Sequence, residues 1–313
     1  MREKSNFVRS FGQVAGLLFA IVGVSSTPYG FAADEGRAPS LVLIVMDPLS
    51  APLACDCVQG YAQRKYEKLG LFLAKRLKRE VKIVWAESLQ AAFKETDRRA
   101  DIVIGKHSVA LANAAELKLD LQPIASLTDK DGSLWQKGLF VVRKDDSAHV
   151  VSDLSGYRIM FGPSDCDEKF AAPIASLRST NIEIPEKPEI FSACSVAATK
   201  LLELPADEKA AAVISSYAAP LLEGCGTIKK GDIRVIGETQ PVRFITAFVN
   251  KQLDEPTRNE IIAGLQAVGE DADLLTALET ESGFVEFSEP ATNKDSKGPA
   301  TDRAALSDGQ KKN

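Results

Sequence analysis

The chain of 313 residues contains few cysteines, histidines and aromatic residues: five Cys, two His and 7% Phe, Trp and Tyr. It also has no surplus of basic residues, since 38 Lys and Arg stand against 43 Asp and Glu, a formal net charge of −5. A general nucleic-acid binder needs excess positive charge to neutralise phosphates, so that class is excluded. The rest of the composition is that of a globular protein with one large or two medium domains.

No apolar run near the start is long enough to cross a membrane. The run over residues 14–24 is shorter than the about 20 residues that a membrane-spanning helix needs. It follows the basic residues Arg2, Lys4 and Arg9 and precedes small residues, which is typical of a secretory signal peptide. We therefore predict a signal peptide over residues 1–32, cleaved near Ala32 and Ala33. We expect a periplasmic or otherwise exported protein that is not an integral membrane protein.

Catalytic signatures are also missing. The sequence has no Gly-x-Ser-x-Gly elbow, Walker A loop, Gly-x-Gly-x-x-Gly turn or His-Glu-x-x-His helix. We predict neither enzymatic activity nor a cofactor. A hydrolase that uses Cys55 or Cys166 with His107 remains an alternative.

Short apolar runs alternate with amphipathic stretches from residue 40 to residue 288, which predicts an α/β fold. The alternation restarts after the extended segment 139–146, and 190–194 is predicted to be a strand that ends at Cys194. We therefore predict two Rossmann-like lobes with a hinge and a cleft between them. Lobe I comprises 40–144 plus 239–288, and lobe II comprises 150–236. Residues 289–313 contain one Leu among polar residues and are predicted to be a disordered tail.

Ligands of open α/β sheets bind beyond the carboxyl ends of the strands, in the loops that follow. These loops are rich in small polar side chains, and we predict that they line one cleft between the lobes. The predicted ligand-binding residues are Asp47, Ser50, His107, Ser108, Ser164, Asp165, Ser215, Ser216 and Tyr217.

Several segments in order resemble a known family over about residues 40–288. They are Asp47-Pro48 after the first strand, the segment 100–105, and Gly132-Ser133-Leu134-Trp135 before the segment 138–145. In this order they resemble the phosphate, phosphite and phosphonate-binding receptors of ABC transporters, which have the type II periplasmic-binding-protein fold. The resemblance implies a monomeric solute-binding protein that holds a small oxyanion between its lobes and passes it to an ABC permease.

The second-lobe anion loop departs from that family. Where the family has Ser, Thr and Gly at a helix N-terminus, this sequence has Asp165, Asp167 and Glu168. These carboxylates are expected to repel a phosphonate, and only Ser164 matches the chemistry of the family in this loop.

The cysteines permit several interpretations. Cys166 and Cys194 are predicted to end neighbouring strands, and an exported protein folds under oxidising conditions, so a disulfide between them is predicted. Cys55, Cys57 and His107 also offer the thiolate and imidazole ligands that suit a soft metal such as Cu(I) or Zn, although the usual zinc spacing is absent. Redox-active thiols without a metal remain a third interpretation.

A second function remains open besides solute binding. The segment 47–52, followed by Gly60-Tyr61, is similar to exported accessory proteins of methanol-oxidation systems. Those proteins have the same two-lobed fold and act on a quinoprotein dehydrogenase. The partner of this protein is therefore expected to be either a permease or another periplasmic protein.

Overall fold

The computed structural model describes residues 39–54 and 63–289. The predicted signal peptide, Cys55, Cys57 and the tail beyond residue 289 lie outside the described residues. In chain order the strands are β1 (Leu41–Met46), β2 (Val81–Trp85), β3 (Ile102–Lys106), β4 (Leu121–Leu127), β5 (Trp135–Gln136), β6 (Gly138–Arg143), β7 (Arg158–Phe161), β8 (Glu189–Ile190), β9 (Ala210–Ser215), β10 (Ile233–Glu238), β11 (Val242–Arg243), β12 (Ile245–Asn250) and β13 (Phe284–Glu286).

The helices connect these strands in the pattern that the sequence predicts. They are α1 (Tyr66–Leu77), α2 (Leu89–Ala92), α3 (His107–Leu117), α4 (Ala171–Ser179), α5 (Cys194–Glu203), α6 (Ala218–Gly224), α7 (Glu255–Gln266) and α8 (Ala272–Ala277). No helix within the described ranges is long and apolar enough to cross a membrane.

The first sheet has the strand order β13-β4-β12-β3-β1-β2. Strand β1 pairs in parallel with β2 on one side and with β3 on the other, and every residue of β1 is buried. Helices cover both faces of such a central strand, which is why it is apolar throughout instead of alternating. The carboxyl ends of β1 and β3, Met46 and Lys106, therefore lie close together at one edge of the sheet.

The second sheet has the order β10-β6-β9-β7-β8. Its central strand β9 is buried along its whole length and pairs in parallel with β7 and antiparallel with β6. The loop after β7 and the residues after β9 leave this sheet at the same edge. Two sheets of this kind make the described part of the chain a two-lobed α/β protein, as predicted.

Two short strands link the lobes. Strand β5 lies between β4 of the first sheet and β6 of the second, and strand β11 lies between β10 and β12. They pair with each other, Trp135 with Arg243 and Gln136 with Val242. The chain thus crosses between lobes twice, side by side, which is the arrangement of a hinge.

The structure corrects two details of the predicted organisation. Residues 138–143 were assigned to lobe I, but strand β6 pairs with β9 and β10 in the second sheet. The predicted strand 190–194 is shorter, because β8 ends at Ile190 and Cys194 is the first residue of α5. Both corrections have one cause: an apolar run does not show which sheet, or which element, will bury it.

Candidate functional site

A cavity of about 530 Å³ lies between the two lobes, at the edges where β1, β3, β7 and β9 end. Lobe I contributes Met46, Pro48, Leu49, Leu53, Glu87, Lys106 and Val109. Lobe II contributes Pro163, Asp165, Cys166, Lys169, Ser192, Ala193, Cys194, Ser195, Tyr217, Ala218, Leu221 and Leu222. Its volume is within the range of small-molecule sites, and most of its wall is apolar.

A buried ion pair joins the lobes at this cavity. The ammonium of Lys106, at the end of β3, contacts Glu168 Oε1 in the loop after β7. Glu168 also accepts hydrogen bonds from Ser215 Oγ at 2.9 Å and from Cys166 Sγ at 3.0 Å. The rings of Tyr217 and Phe244 lie 5.5 Å and 5.9 Å from the Lys106 ammonium. Every charge in this cluster thus has a partner, as buried charges require.

These contacts shift the pKa values of the cluster. Burial by itself would raise the pKa of Glu168, but the charge of Lys106 and the hydrogen bond from Cys166 lower it to about 2. Burial lowers the pKa of Lys106, and the neighbouring Cys166 and Glu168 more than reverse that effect, so its pKa is raised. Burial and the Glu168 charge raise the pKa of the Cys166 thiol to about 12. The cluster is therefore a carboxylate, an ammonium and a neutral thiol at neutral pH.

A second set of polar contacts crosses the cleft beside the ion pair. Ser108 Oγ, in the first turn of α3, donates to the carbonyl of Asp165 at 2.7 Å and accepts from the Asp167 amide at 3.1 Å. Asn113 Nδ2 donates to the Asp165 carboxylate at 3.4 Å. The loop 163–168 is thus held against lobe I by hydrogen bonds as well as by charge.

Asp47, predicted to bind a ligand, has a structural role instead. It is fully buried, and its Oδ2 accepts hydrogen bonds from Arg64 at 2.8 Å and from the Tyr66 hydroxyl at 2.6 Å. Its Oδ1 accepts from the Leu49 amide at 2.8 Å. Because both oxygens are used within lobe I, Asp47 shapes the loop after β1 and does not line the cavity.

His107 is likewise held inside lobe I. Its Nδ1 lies 3.1 Å from Thr246 Oγ1, and its ring stacks on Phe248 and on Phe287, each at a centroid distance of 5.6 Å. Burial and the charge of Arg243 lower the pKa of His107 to about 4, so the imidazole is neutral at neutral pH. It does not line the cavity.

The other predicted residues are distributed around the cleft. Asp165 and Tyr217 line the cavity, Ser108 bridges the lobes and Ser215 supports Glu168. Ser216 Oγ donates to Gln136 Oε1 at 2.6 Å and so contacts the hinge. Ser50 is buried, and its Oγ has no hydrogen-bond partner among the described residues, whereas Ser164 is exposed.

The predicted disulfide is not formed, because Cys166 and Cys194 are free thiols. Cys166 Sγ donates to Glu168, whereas Cys194 Sγ accepts from the Ser215 amide at 3.4 Å. The reason is the early start of α5, which moves Cys194 from a strand end to the first turn of a helix. Cys225 is a third free thiol, exposed on lobe II.

The predicted metal ligands are not brought together within the described part of the chain. Cys55 and Cys57 lie outside it. Within residues 39–54 and 63–289, no group of three or more His, Cys, Asp or Glu residues could hold a metal ion.

Sequence reasoning missed the two lysines of the site, and it did not pair Glu168 with Lys106. Lys106 is the last residue of β3, Glu168 is the last carboxylate of the predicted acidic loop, and Lys169 follows it. One signal was available: Lys106 ends the apolar segment 102–105, where a lysine needs a buried partner. Which carboxylate supplies that partner depends on how the lobes meet.

Comparison with known proteins identifies the family. Residues 59–292 match the family model of the ABC transporter, phosphonate, periplasmic substrate-binding protein. A comparison with curated protein sequences found no match.

Solved structures of similar fold include three with a TM-score near 0.6. XAC2383 from Xanthomonas citri bound to ATP is 16% identical, with a TM-score of 0.62 over 87% of this chain and 98% of that one. A binding protein component of an ABC phosphonate transporter from Pseudomonas aeruginosa is 14% identical, with a TM-score of 0.60 over 87% and 95%. PhnD1 from Prochlorococcus marinus in complex with methylphosphonate is 16% identical, with a TM-score of 0.59 over 86% and 97%.

At these identities the structures share the fold with this chain, and the family match covers most of the sequence. The resemblance seen in the sequence is thereby confirmed, including the solute-binding role. The chain belongs to the family of periplasmic substrate-binding proteins of phosphonate ABC transporters.

Proposed function

We propose that this protein captures a small phosphonate-like oxyanion in the cavity between its lobes and delivers it, chemically unchanged, to an ABC permease on the exported side of the membrane. The observation that carries this proposal is the cavity itself. Both lobes line it, strand ends and the first turn of α5 surround it, and two lysines, Lys106 and Lys169, stand in its wall.

The acidic loop, expected to repel a phosphonate, is less of an obstacle than its sequence indicates. The Glu168 charge is compensated by Lys106, and the Asp165 carboxylate accepts a hydrogen bond from Asn113. A small oxyanion therefore does not meet three uncompensated carboxylates. Methylphosphonate, the ligand of the Prochlorococcus protein, is small enough for this cavity.

The proposal is tested by titrating the purified protein with methylphosphonate, phosphite, phosphate and, as a control without phosphorus, ethylamine. Calorimetry gives the affinity, and thermal unfolding gives a second measure. A ligand that binds only the folded state stabilises it by about 2.7 kcal/mol at a hundredfold excess over Kd. We expect at least one phosphorus oxyanion to bind and to raise the Tm. Binding of ethylamine alone would overturn the ligand class.

A further inference from the structure

One lysine in the cavity wall, Lys169, has no hydrogen-bonded partner among the described residues, although its charge helps to lower the pKa of the neighbouring Glu168. Lys169 is only 6% exposed, and no hydrogen bond or ion pair of its ammonium is found within the described ranges. Its aliphatic chain lies over Gly162, where an added Cβ would come within 2.5 Å of the Lys169 Cβ. Glu168 is already paired with Lys106, so the described residues of the cavity carry more positive charge than this carboxylate compensates, and a buried ammonium without a hydrogen-bonded partner favours a bound anion.

A second feature of the same cavity also favours an anion. Helix α5 has ten residues, and its first residues, Cys194 and Ser195, line the cavity together with Ala193. Ala193 is the N-cap residue and has no side chain that could cap the helix. The amide groups of a first helical turn carry partial positive charge and bind oxyanions when no side chain occupies them.

The other charged groups of the cavity are accounted for. Lys106 is committed to Glu168 across the cleft, Asp165 accepts from Asn113, and Glu87 is exposed at the rim. The loop 162–168, which corresponds to the anion loop of the family, is therefore occupied by contacts with lobe I. Lys169 and the start of α5 are the positive features that remain.

We propose that the anionic group of the ligand binds between the Lys169 ammonium and the first turn of α5. This subsite deepens the proposed function and rests on it. The apolar residues of the same cavity, among them Leu49, Leu53, Leu221 and Leu222, then face the remainder of the solute. The ligand class is a small oxyanion with a short apolar substituent, and Lys106 has the separate task of joining the lobes through Glu168.

Lys169→Met and Ala193→Asp test the subsite with methylphosphonate as the probe. Lys169→Met removes the charge and keeps the length of the side chain, and we expect the affinity to fall at least tenfold. Lys200→Met is the matched control, since Lys200 lies on α5 outside the cavity and is partly exposed. We expect its affinity to stay within twofold of wild type. Thermal unfolding confirms that both variants are folded.

A further variant, Ala193→Asp, tests the contribution of the α5 N-terminus and distinguishes it from a general loss of structure. Ala193 has the extended backbone of an N-cap residue, with φ −131° and ψ 152°, so Ala193→Asp supplies a capping carboxylate. We expect a higher Tm together with weaker methylphosphonate binding, because the new carboxylate occupies the amides. If the first turn of α5 had only a structural role, Ala193→Asp would raise the Tm and leave the affinity for methylphosphonate unchanged.

The outcomes distinguish the subsite from the function on which it rests. If wild type binds methylphosphonate and Lys169→Met binds it within twofold, the subsite is overturned while the proposed function stands. If wild type binds none of methylphosphonate, phosphite and phosphate, the proposed ligand class is overturned and the subsite with it.

Discussion

At the scale of the residue, the contact between the lobes depends on Lys106 and Glu168. Both side chains are buried, and each is the counter-ion of the other. Ser215 and Cys166 complete the hydrogen bonding of the carboxylate. Removing one charge therefore leaves the other buried and uncompensated, which costs more free energy than the pair itself contributes.

Lys106→Met is expected to lower the free energy of unfolding by about 3–5 kcal/mol, because Glu168 is left without its counter-ion. Replacing both residues, Lys106→Met with Glu168→Leu, should restore much of that loss. Lys137→Met serves as the control, because the Lys137–Glu238 pair is exposed and its loss should change stability by no more than about 0.5 kcal/mol. Urea unfolding measures all three. Equal losses in Lys106→Met and Lys137→Met would contradict the role of the pair.

Glu168 also makes stability depend on pH. Its pKa is about 2 in the folded protein against an ordinary value of 4.5, so the folded state favours the ionised form. This contribution is fully present above about pH 4.5 and is lost as the pH falls through about 2. We expect wild type to lose more stability than Glu168→Gln over that interval, measured by urea unfolding at fixed pH. Parallel pH profiles for the two proteins would refute this assignment.

At the scale of the element, strand β6 makes room for the charged loop. Strand β6 enters the second sheet directly after the hinge, and its first residue, Gly138, passes under the loop that carries Glu168. A Cβ at Gly138 would lie 2.0 Å from the Glu168 carbonyl oxygen. The absence of a side chain at this position therefore lets the backbone of the loop approach the strand.

Gly138→Ala is expected to destabilise the protein by about 1–3 kcal/mol, because the added methyl group collides with backbone and forces the loop to shift. The shift should also weaken ligand binding. Gly264→Ala is the comparison: there the Cβ meets the end of the Leu73 side chain instead of backbone, and alanine improves helix propensity in α7, so the loss should be smaller. Thermal unfolding and calorimetry are the measurements. A Gly138→Ala protein with wild-type stability and affinity would argue against the close approach.

At the scale of the whole molecule, the lobes are joined by the paired hinge strands and by direct contacts across the cleft. The hinge is short, and the polar contacts described across the cleft are the Lys106–Glu168 pair and the hydrogen bonds of Ser108 and Asn113. The ring of Tyr217 also packs against Phe244, and one hydrophobic cluster includes buried residues of both lobes. An equilibrium between closed and open lobes thus depends on these polar interactions together with the apolar contacts. A ligand in the cavity adds contacts to both lobes and favours closure.

Ser108→Ala removes two hydrogen bonds between the lobes and is expected to shift the ligand-free protein towards the open form. Each bond contributes about 0.5–1.5 kcal/mol, so the open population should rise severalfold. Distance measurements between spin labels on the two lobes report this change. Ser179→Ala is the control, because the Ser179 hydroxyl donates to the Ser176 carbonyl within α4. An unchanged distance distribution in Ser108→Ala would show that these bonds do not hold the cleft closed.

The sequence by itself determined the α/β class, the two lobes and the resemblance to phosphonate-binding proteins. The reason is that these depend on the local alternation of apolar and polar residues and on short motifs in order. Asp165 and Tyr217, which the sequence places after strand ends, lie in the cavity wall, because the end of a strand is a local feature, and their contact with a ligand stays a prediction.

Only the tertiary structure decided what the polar residues near the cleft do. Asp47 is paired with Arg64, His107 is stacked between Phe248 and Phe287, and Glu168 is paired with Lys106. Each of these partners is distant in the chain or belongs to the other lobe, so no local pattern reveals it. Burial then determines which charges are compensated within the described part of the protein, and it places Lys169, the charge that we propose for the ligand, in the cavity wall.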